Sequence, residues 1–73
     1  MNLDIWDAIR AHLVVELECD GVRHQLEPYE CDGMGSPLRG YVLTGPELGW
    51  REFRDWNNLK ITNRRFEARS DFD

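Results

Sequence analysis

The chain has 73 residues, of which 41% are hydrophobic, and a formal net charge of −5. This length predicts a single domain, residues 1–73, that buries only about 60% of the surface its unfolded form exposes. The acidic balance argues against general binding of nucleic acids, which requires a basic surface. No apolar run reaches the ~18 residues of a membrane span, and the first residues lack the basic and apolar stretches of a signal peptide. We therefore expect a small cytoplasmic domain without a membrane segment.

Cys19 and Cys31 are the two cysteines of the chain. Their spacing lies outside the CxxC pattern and no histidine-rich set accompanies them, so we expect neither a metal site nor a bound cofactor. Two cysteines are also too few for the disulfide framework of a secreted domain. We expect two reduced thiols, with a disulfide across neighbouring strands as the alternative.

The beginning of the chain predicts a helix over residues 3–12. Its apolar side chains recur at steps of three and four residues and fall on one stripe: Leu3, Trp6, Ile9 and Leu13. Asn2 is placed to cap this helix, and Asp4 lies in the first turn, where a carboxylate interacts favourably with the helix dipole.

From Leu13 onwards the hydrophobic period changes from helical spacing to two, which predicts a half-buried strand ending near Cys19. Asp20-Gly21 then predicts a tight hairpin turn, because both residue types tolerate positive φ. The return strand begins at Val22, and Pro28 limits it to a sheet edge or a bulge because proline lacks a backbone N–H.

Three further strands are predicted over Leu38–Thr44, Trp50–Arg54 and Leu59–Thr62, separated by segments rich in Gly and Pro. A helix followed by about five short strands predicts a mainly β fold with an N-terminal helix. So few residues hide their sheet edges best when residues 13–69 curl into a small SH3-like or Sm-like antiparallel barrel. Residues 70–73 are expected to fray.

The order of four short segments along the chain points to a known family. They are Ala8-Ile9-Arg10 before the hairpin, Leu26-Glu27-Pro28-Tyr29 after it, Tyr41-Val42-Leu43, and Arg51-Glu52-Phe53-Arg54. This order resembles the WYL domain, a ligand-sensing module of many bacterial helix-turn-helix transcription regulators. The resemblance implies a five-stranded Sm-like barrel that recognises a small anionic or nucleic-acid ligand. One departure is Gly40-Tyr41-Val42, which stands where the family carries Trp-Tyr-Leu.

Charge is distributed unevenly between the two halves of the chain. Residues 1–37 hold eight acidic residues and two arginines, a balance of −6, whereas residues 38–73 hold seven basic and six acidic residues, a balance of +1. Most basic residues of the second half are arginines, whose planar guanidinium fits carboxylates and phosphates. A local anion site is therefore compatible with an acidic protein.

The predicted ligand-binding residues are Arg51, Arg54, Tyr41 and Arg39. Arginine forks beside an aromatic plane can hold a phosphate and stack a base. The alternative is that these arginines pair with the carboxylates of the first half. Near the end of the chain, Arg64, Arg65 and Arg69 either extend an anion patch or form a solvated tail.

Two non-enzymatic functions follow from these patterns. The first is binding of an anionic ligand such as a nucleotide or single-stranded nucleic acid, in a regulatory role. The alternative is a protein-interaction module that forms a homodimer, or docks on a regulator protein, through a sheet edge and Trp56, which sits in a polar run. Catalysis is not expected, because His12 and His24 lack a nucleophile at a recognisable motif.

Overall fold

The computed structural model describes residues 4–33, 36–45 and 47–69. The helix α1 (Ile5–Ala11) is followed by the strands β1 (Leu13–Cys19), β2 (Val22–Cys31), β3 (Leu38–Val42), β4 (Gly49–Phe53) and β5 (Trp56–Arg65). The predicted order of helix and strands is therefore confirmed. The predicted fraying of residues 70–73 falls outside the described residues.

Helix α1 begins at Ile5 and its N-cap is Asp4, whereas the predicted cap Asn2 lies outside the described residues. The Asp4 side chain accepts a hydrogen bond from the Asp7 backbone N–H, and the Asp7 carboxylate accepts one from the Asp4 backbone N–H. This reciprocal capping box satisfies two backbone donors at the start of the helix. The helix ends at His12, whose left-handed backbone (φ 58°) turns the chain directly into β1.

The five strands form one antiparallel sheet with the order β4-β3-β2-β1-β5. The first four strands are joined consecutively, and β5 returns to pair with β1. The predicted mainly β, barrel-like fold with a leading helix is confirmed. Within the described residues, backbone pairing does not close the sheet between β4 and β5, so these two strands are its edges.

Strand β2 passes through Pro28 because the sheet is irregular there. Pro28 lies opposite Gly40, and the register with β3 shifts between Pro28 and Glu30. Of the two expectations for this strand, a sheet edge or a bulge, the structure has an irregularity in the interior strand β2, which lets a residue without an N–H lie within the sheet.

The other predicted strand limits differ from the structure by different amounts. β3 ends at Val42 instead of Thr44, β4 is displaced by one residue, and β5 extends well beyond the predicted Leu59–Thr62 at both ends. The extension of β5 has a structural reason, since two register shifts against β1 accommodate its polar residues along an edge.

The core lies between α1 and the concave inner face of the sheet. Its buried members are Ile5, Ala8, Val15, Leu17, Leu26, Cys31, Leu38, Val42 and Phe53. Alternate residues of each strand point to the opposite, outer face, which therefore carries most of the polar and aromatic side chains. No helix within the described ranges is long and apolar enough to cross a membrane.

Candidate functional site

The four predicted ligand-binding residues do not meet at one place. Arg39 and Tyr41 alternate with the buried residues of β3 and lie on the outer face. Arg51 lies opposite Gly40 on the other face, where its guanidinium carbon stands 4.9 Å from the centroid of the Phe53 ring. Arg54 follows the end of β4 and is exposed. The sheet therefore distributes these side chains over both faces and one loop.

Each predicted arginine also has a carboxylate within ion-pair distance. The pairs are Arg39–Glu30 at 3.4 Å, Arg51–Glu47 at 3.8 Å and Arg54–Glu52 at 3.1 Å. Only Glu30 belongs to the acidic first half of the chain, so the pairing is mostly local. Exposed pairs of this kind contribute about 0–1 kcal/mol each, but they lower the net charge that an anion would meet.

The basic residues without an acidic partner cluster on one strand. Six of the nine Lys and Arg residues make an ion pair with a described carboxylate. The remaining three, Lys60, Arg64 and Arg65, have no such partner among the described residues, and all three are exposed on β5. Lys60 lies opposite Glu16 in the β1–β5 register, so the uncompensated positive charge is concentrated at the end of β5, at Arg64 and Arg65.

A cleft of about 170 Å³ lies where the end of α1 meets the end of β5. Its lining residues are Arg10, Ala11, His12, Arg65 and Phe66. The rings of His12 and Phe66 are stacked, with centroids 5.4 Å apart, and the Phe66 backbone N–H donates to the His12 carbonyl oxygen over 2.9 Å. These two contacts fix the segment after β5 against the turn that follows α1.

Electrostatics in this cleft favour an anion in spite of the nearby helix end. The C-terminal carbonyls of a helix repel anions, and this repulsion is reduced in part because those of Ala8 and Ile9 accept the His12 backbone N–H. The Arg10 side chain is 69% exposed and pairs with Asp7 over 2.7 Å. Arg65 adds a guanidinium without a described acidic partner, and the residues that line the cleft include two arginines and no carboxylate.

A second cluster occupies the outer face and includes Arg69, for which the sequence left open an anion patch or a solvated tail. Tyr29 and Tyr41 flank Trp50, with ring centroids 4.9 and 5.3 Å from that ring. The guanidinium carbon of Arg69 lies 3.6 Å from the Tyr41 ring centroid, and its Nε donates to the buried Glu27 carboxylate over 2.8 Å. The hydrogen bond to Glu27 raises the pKa of Arg69 above its ordinary value.

The three tryptophans occupy different environments. Trp6 packs against the core, as predicted. Trp56, expected at an interface because it sits in a polar run, lies at the start of β5 and packs partly against the core. Trp50 is the more accessible ring, at 36% exposure, because its position in the edge strand β4 directs it to the outer face. The local polarity around Trp56 did not reveal that it begins a strand opposite Cys19.

His24 is a buried polar side chain on the inner face. Its ring is 5% exposed and packs against Phe53, and its Nδ1 has no hydrogen-bond partner. Burial lowers the pKa of His24 below the ordinary 6.5, and the nearby Arg51 lowers it further. The ring therefore favours its neutral form in the folded protein.

The described part of the chain holds no group of three or more His, Cys, Asp or Glu side chains arranged to hold a metal ion. Both cysteines are free thiols. No family model, no curated protein and no solved structure matches this chain.

Proposed function

We propose that this domain is a non-enzymatic binding module for an anionic ligand, such as a nucleotide or single-stranded nucleic acid. The observation that carries the proposal is the position of the unpaired cations. Lys60, Arg64 and Arg65 lie along β5, and Arg65 lines the cleft that also contains the stacked rings of His12 and Phe66. Basic and aromatic side chains side by side are the features that bind a phosphodiester backbone and its bases.

The chemistry of the cleft assigns a role to each side chain. Arg65, with Arg10 opposite, provides guanidinium donors for phosphate oxygens. His12 is exposed although one face of its ring is stacked on Phe66. A base can stack on this ring pair without a hydrogen bond to a base edge, so recognition tolerates different base sequences.

The size of the cleft limits what it holds. Pockets that enclose a small-molecule ligand have volumes of about 300–1,000 Å³, whereas this cleft has about 170 Å³. It therefore accommodates one phosphate group or part of a base. The remainder of a ligand would extend over the exposed edge strand β5 towards Arg64 and Lys60, which favours an oligonucleotide over a free mononucleotide.

The WYL resemblance supports this class of function, and the barrel-like sheet agrees with the fold that the resemblance implies. The assignment to the WYL family remains a prediction. A regulatory role in the cytoplasm belongs to the same proposal, and the two free thiols are consistent with a reducing compartment.

Titration of the ¹⁵N-labelled protein with oligothymidylate and with ADP at low salt tests the proposal. We expect amide shifts to cluster at His12, Arg65 and Phe66, with stronger binding of the oligonucleotide. Shifts that cluster instead at Arg39, Tyr41 and Arg54 would show that the ligand binds at the residues predicted from the sequence and not in the cleft. An absence of shifts for both probes would contradict anion binding altogether.

A second candidate function is a protein interaction through a sheet edge, and the exposure of apolar residues at β4 favours it. Leu48 is 65% exposed and Trp50 is 36% exposed, next to the unpaired backbone of this edge strand. Sedimentation of the protein over a range of concentrations tests for a homodimer. Trp50→Ala should weaken such a dimer more than Trp56→Ala, whereas a monomer at all concentrations would exclude self-association.

A further inference from the structure

The outer face of the sheet carries a cluster of polar and aromatic side chains that the anion proposal does not use. We call this cluster of Glu27, Tyr29, Tyr41 and Trp50 the outer groove. Arg69 contacts its first three members, and Trp50 packs against the two tyrosines. We propose that this groove is a recognition site for an arginine side chain presented by a partner peptide, and that Arg69 is its internal ligand.

The contacts of Arg69 define the chemistry that the groove recognises. Its Nε donates to Glu27 Oε1 over 2.8 Å and its Nη2 donates to Glu27 Oε2 over 3.3 Å. Two parallel bonds from one guanidinium to one carboxylate are the geometry that distinguishes arginine from lysine. The same guanidinium lies over the Tyr41 ring, and its carbon is 3.6 Å from the ring centroid.

The residues of the groove satisfy the charge and the hydrogen bonds of both Glu27 and Arg69. The Glu27 side chain is only 8% exposed, and a buried carboxylate requires a cation and hydrogen-bond donors. The Tyr29 hydroxyl donates to Glu27 Oε1 over 3.0 Å and accepts the Arg69 backbone N–H over 2.9 Å. Trp50 packs edge-on against both tyrosines and fixes their orientation.

The internal ligand is held by a short segment that is outside regular structure. Residues 66–69 follow the end of β5 and belong to no helix or strand. Besides Arg69, their main anchor is the Phe66 ring, which packs between His12 and Tyr29. Arg69 itself keeps 37% of its side chain exposed. An arginine from another chain can therefore compete for Glu27 by displacing Arg69 alone, without unfolding the sheet.

Arg69→Ala tests this inference because it vacates the groove and leaves Glu27 without its cation. The probe is the peptide acetyl-Gly-Arg-Gly-amide, and its lysine counterpart is the matched control. Binding is followed by the indole N–H resonance of Trp50 and by the thermal midpoint of the variant. We expect the arginine peptide to bind the variant and raise its midpoint, and the lysine peptide to bind at least about tenfold more weakly.

The unmodified protein should bind the arginine peptide at least about tenfold more weakly than the variant, because the tethered Arg69 competes at an effective concentration in the millimolar range. Adding Glu27→Gln to Arg69→Ala should abolish the preference for arginine. If Arg69→Ala does not fold alone, Arg69→Lys, which keeps the charge, takes its place in the same titrations. Equal binding of both peptides, no binding, or binding that survives Glu27→Gln would each overturn the inference.

Discussion

Gly40 lies directly against the backbone of Glu27 on the neighbouring strand. A β-carbon at position 40 would stand 2.5 Å from the Glu27 carbonyl oxygen and 2.7 Å from a methyl carbon of Leu26. The close approach occurs where Pro28 pairs with Gly40 and the β2–β3 register shifts. A side chain at Gly40 would therefore push apart the two strands that carry the core residues and the outer groove.

Gly40→Ala should lower the free energy of unfolding by about 1–3 kcal/mol, as expected for overpacking of a tight site. A domain of this size has only about 3–5 kcal/mol in total, so the variant should retain about 0–4 kcal/mol and unfold at a clearly lower urea concentration. Urea denaturation followed by far-ultraviolet circular dichroism measures the change.

Gly33→Ala is the matched control for this prediction. A β-carbon at Gly33 would have no heavy atom within 4 Å, and the backbone there is not left-handed. This variant should retain the stability of the unmodified protein. Equal stabilities of the two variants would show that β2 and β3 are not packed as closely as described.

The buried ring of His24 should make stability depend on pH. Since burial lowers the pKa of His24 in the folded state, the unfolded chain binds this proton more readily. Its contribution to stability is therefore complete above the ordinary pKa of 6.5 and is lost as the pH falls below that value, with a slope of at most about 1.4 kcal/mol per pH unit.

His24→Gln removes this titrating group and should flatten the stability profile just below pH 6.5. Urea denaturation at a series of pH values compares the variant with the unmodified protein, and only the slopes matter if the variant is less stable. Asp7, whose pKa is lowered mainly by the hydrogen bond from the Asp4 backbone, affects stability only at more acidic pH. An unchanged slope in the variant would assign the pH dependence to other groups.

The capping box predicts a specific cost for the loss of Asp4. Asp4→Ala removes the acceptor of the Asp7 backbone N–H, and loss of an N-cap costs about 1 kcal/mol. Asp32→Ala removes an equal charge from an exposed loop position and is the control. Urea denaturation of both variants should show a decrease only for Asp4→Ala. If Asp32→Ala is equally destabilised, the effect arises from net charge and not from the cap.

The two thiols should differ in their rates of reaction with an alkylating reagent. Burial raises the pKa of both Cys19 and Cys31, which lowers their thiolate fractions. Cys31 is only 6% exposed, whereas Cys19 is half-buried. Iodoacetamide followed by mass spectrometry should modify Cys19 first, and Cys19→Ser should leave only the slow phase. A chain that resists alkylation until it is reduced would instead contain a disulfide.

Local sequence patterns predicted most of the fold because the information for each element is local. The change of period at Leu13 and the Asp20-Gly21 turn determine the first hairpin without reference to the rest of the chain. Pro28 indicated an irregularity in β2, because proline has no backbone N–H to donate to a neighbouring strand. The length of strand β5 was underestimated because its polar residues lie along a sheet edge, where the alternation of apolar and polar residues is weak.

The candidate site was less predictable because it depends on pairing between distant residues. Arg51 and Tyr41 lie on opposite faces because of the β3–β4 register. The charge of Arg54 is compensated by Glu52, two positions away, whereas Arg65 has no described acidic partner. Composition identified the basic second half of the chain, but only the fold distinguishes compensated arginines from uncompensated ones.

The most direct measurement of the central claim compares Arg65→Glu with Arg54→Glu, which change the net charge equally. Fluorescence anisotropy of a labelled oligothymidylate at low salt gives the affinity of each variant. We expect Arg65→Glu to weaken binding at least about tenfold, and Arg54→Glu, which removes an already paired charge, to weaken it no more than about threefold. Equal losses in the two variants, or no binding by the unmodified protein, would contradict a specific anion site at the end of β5.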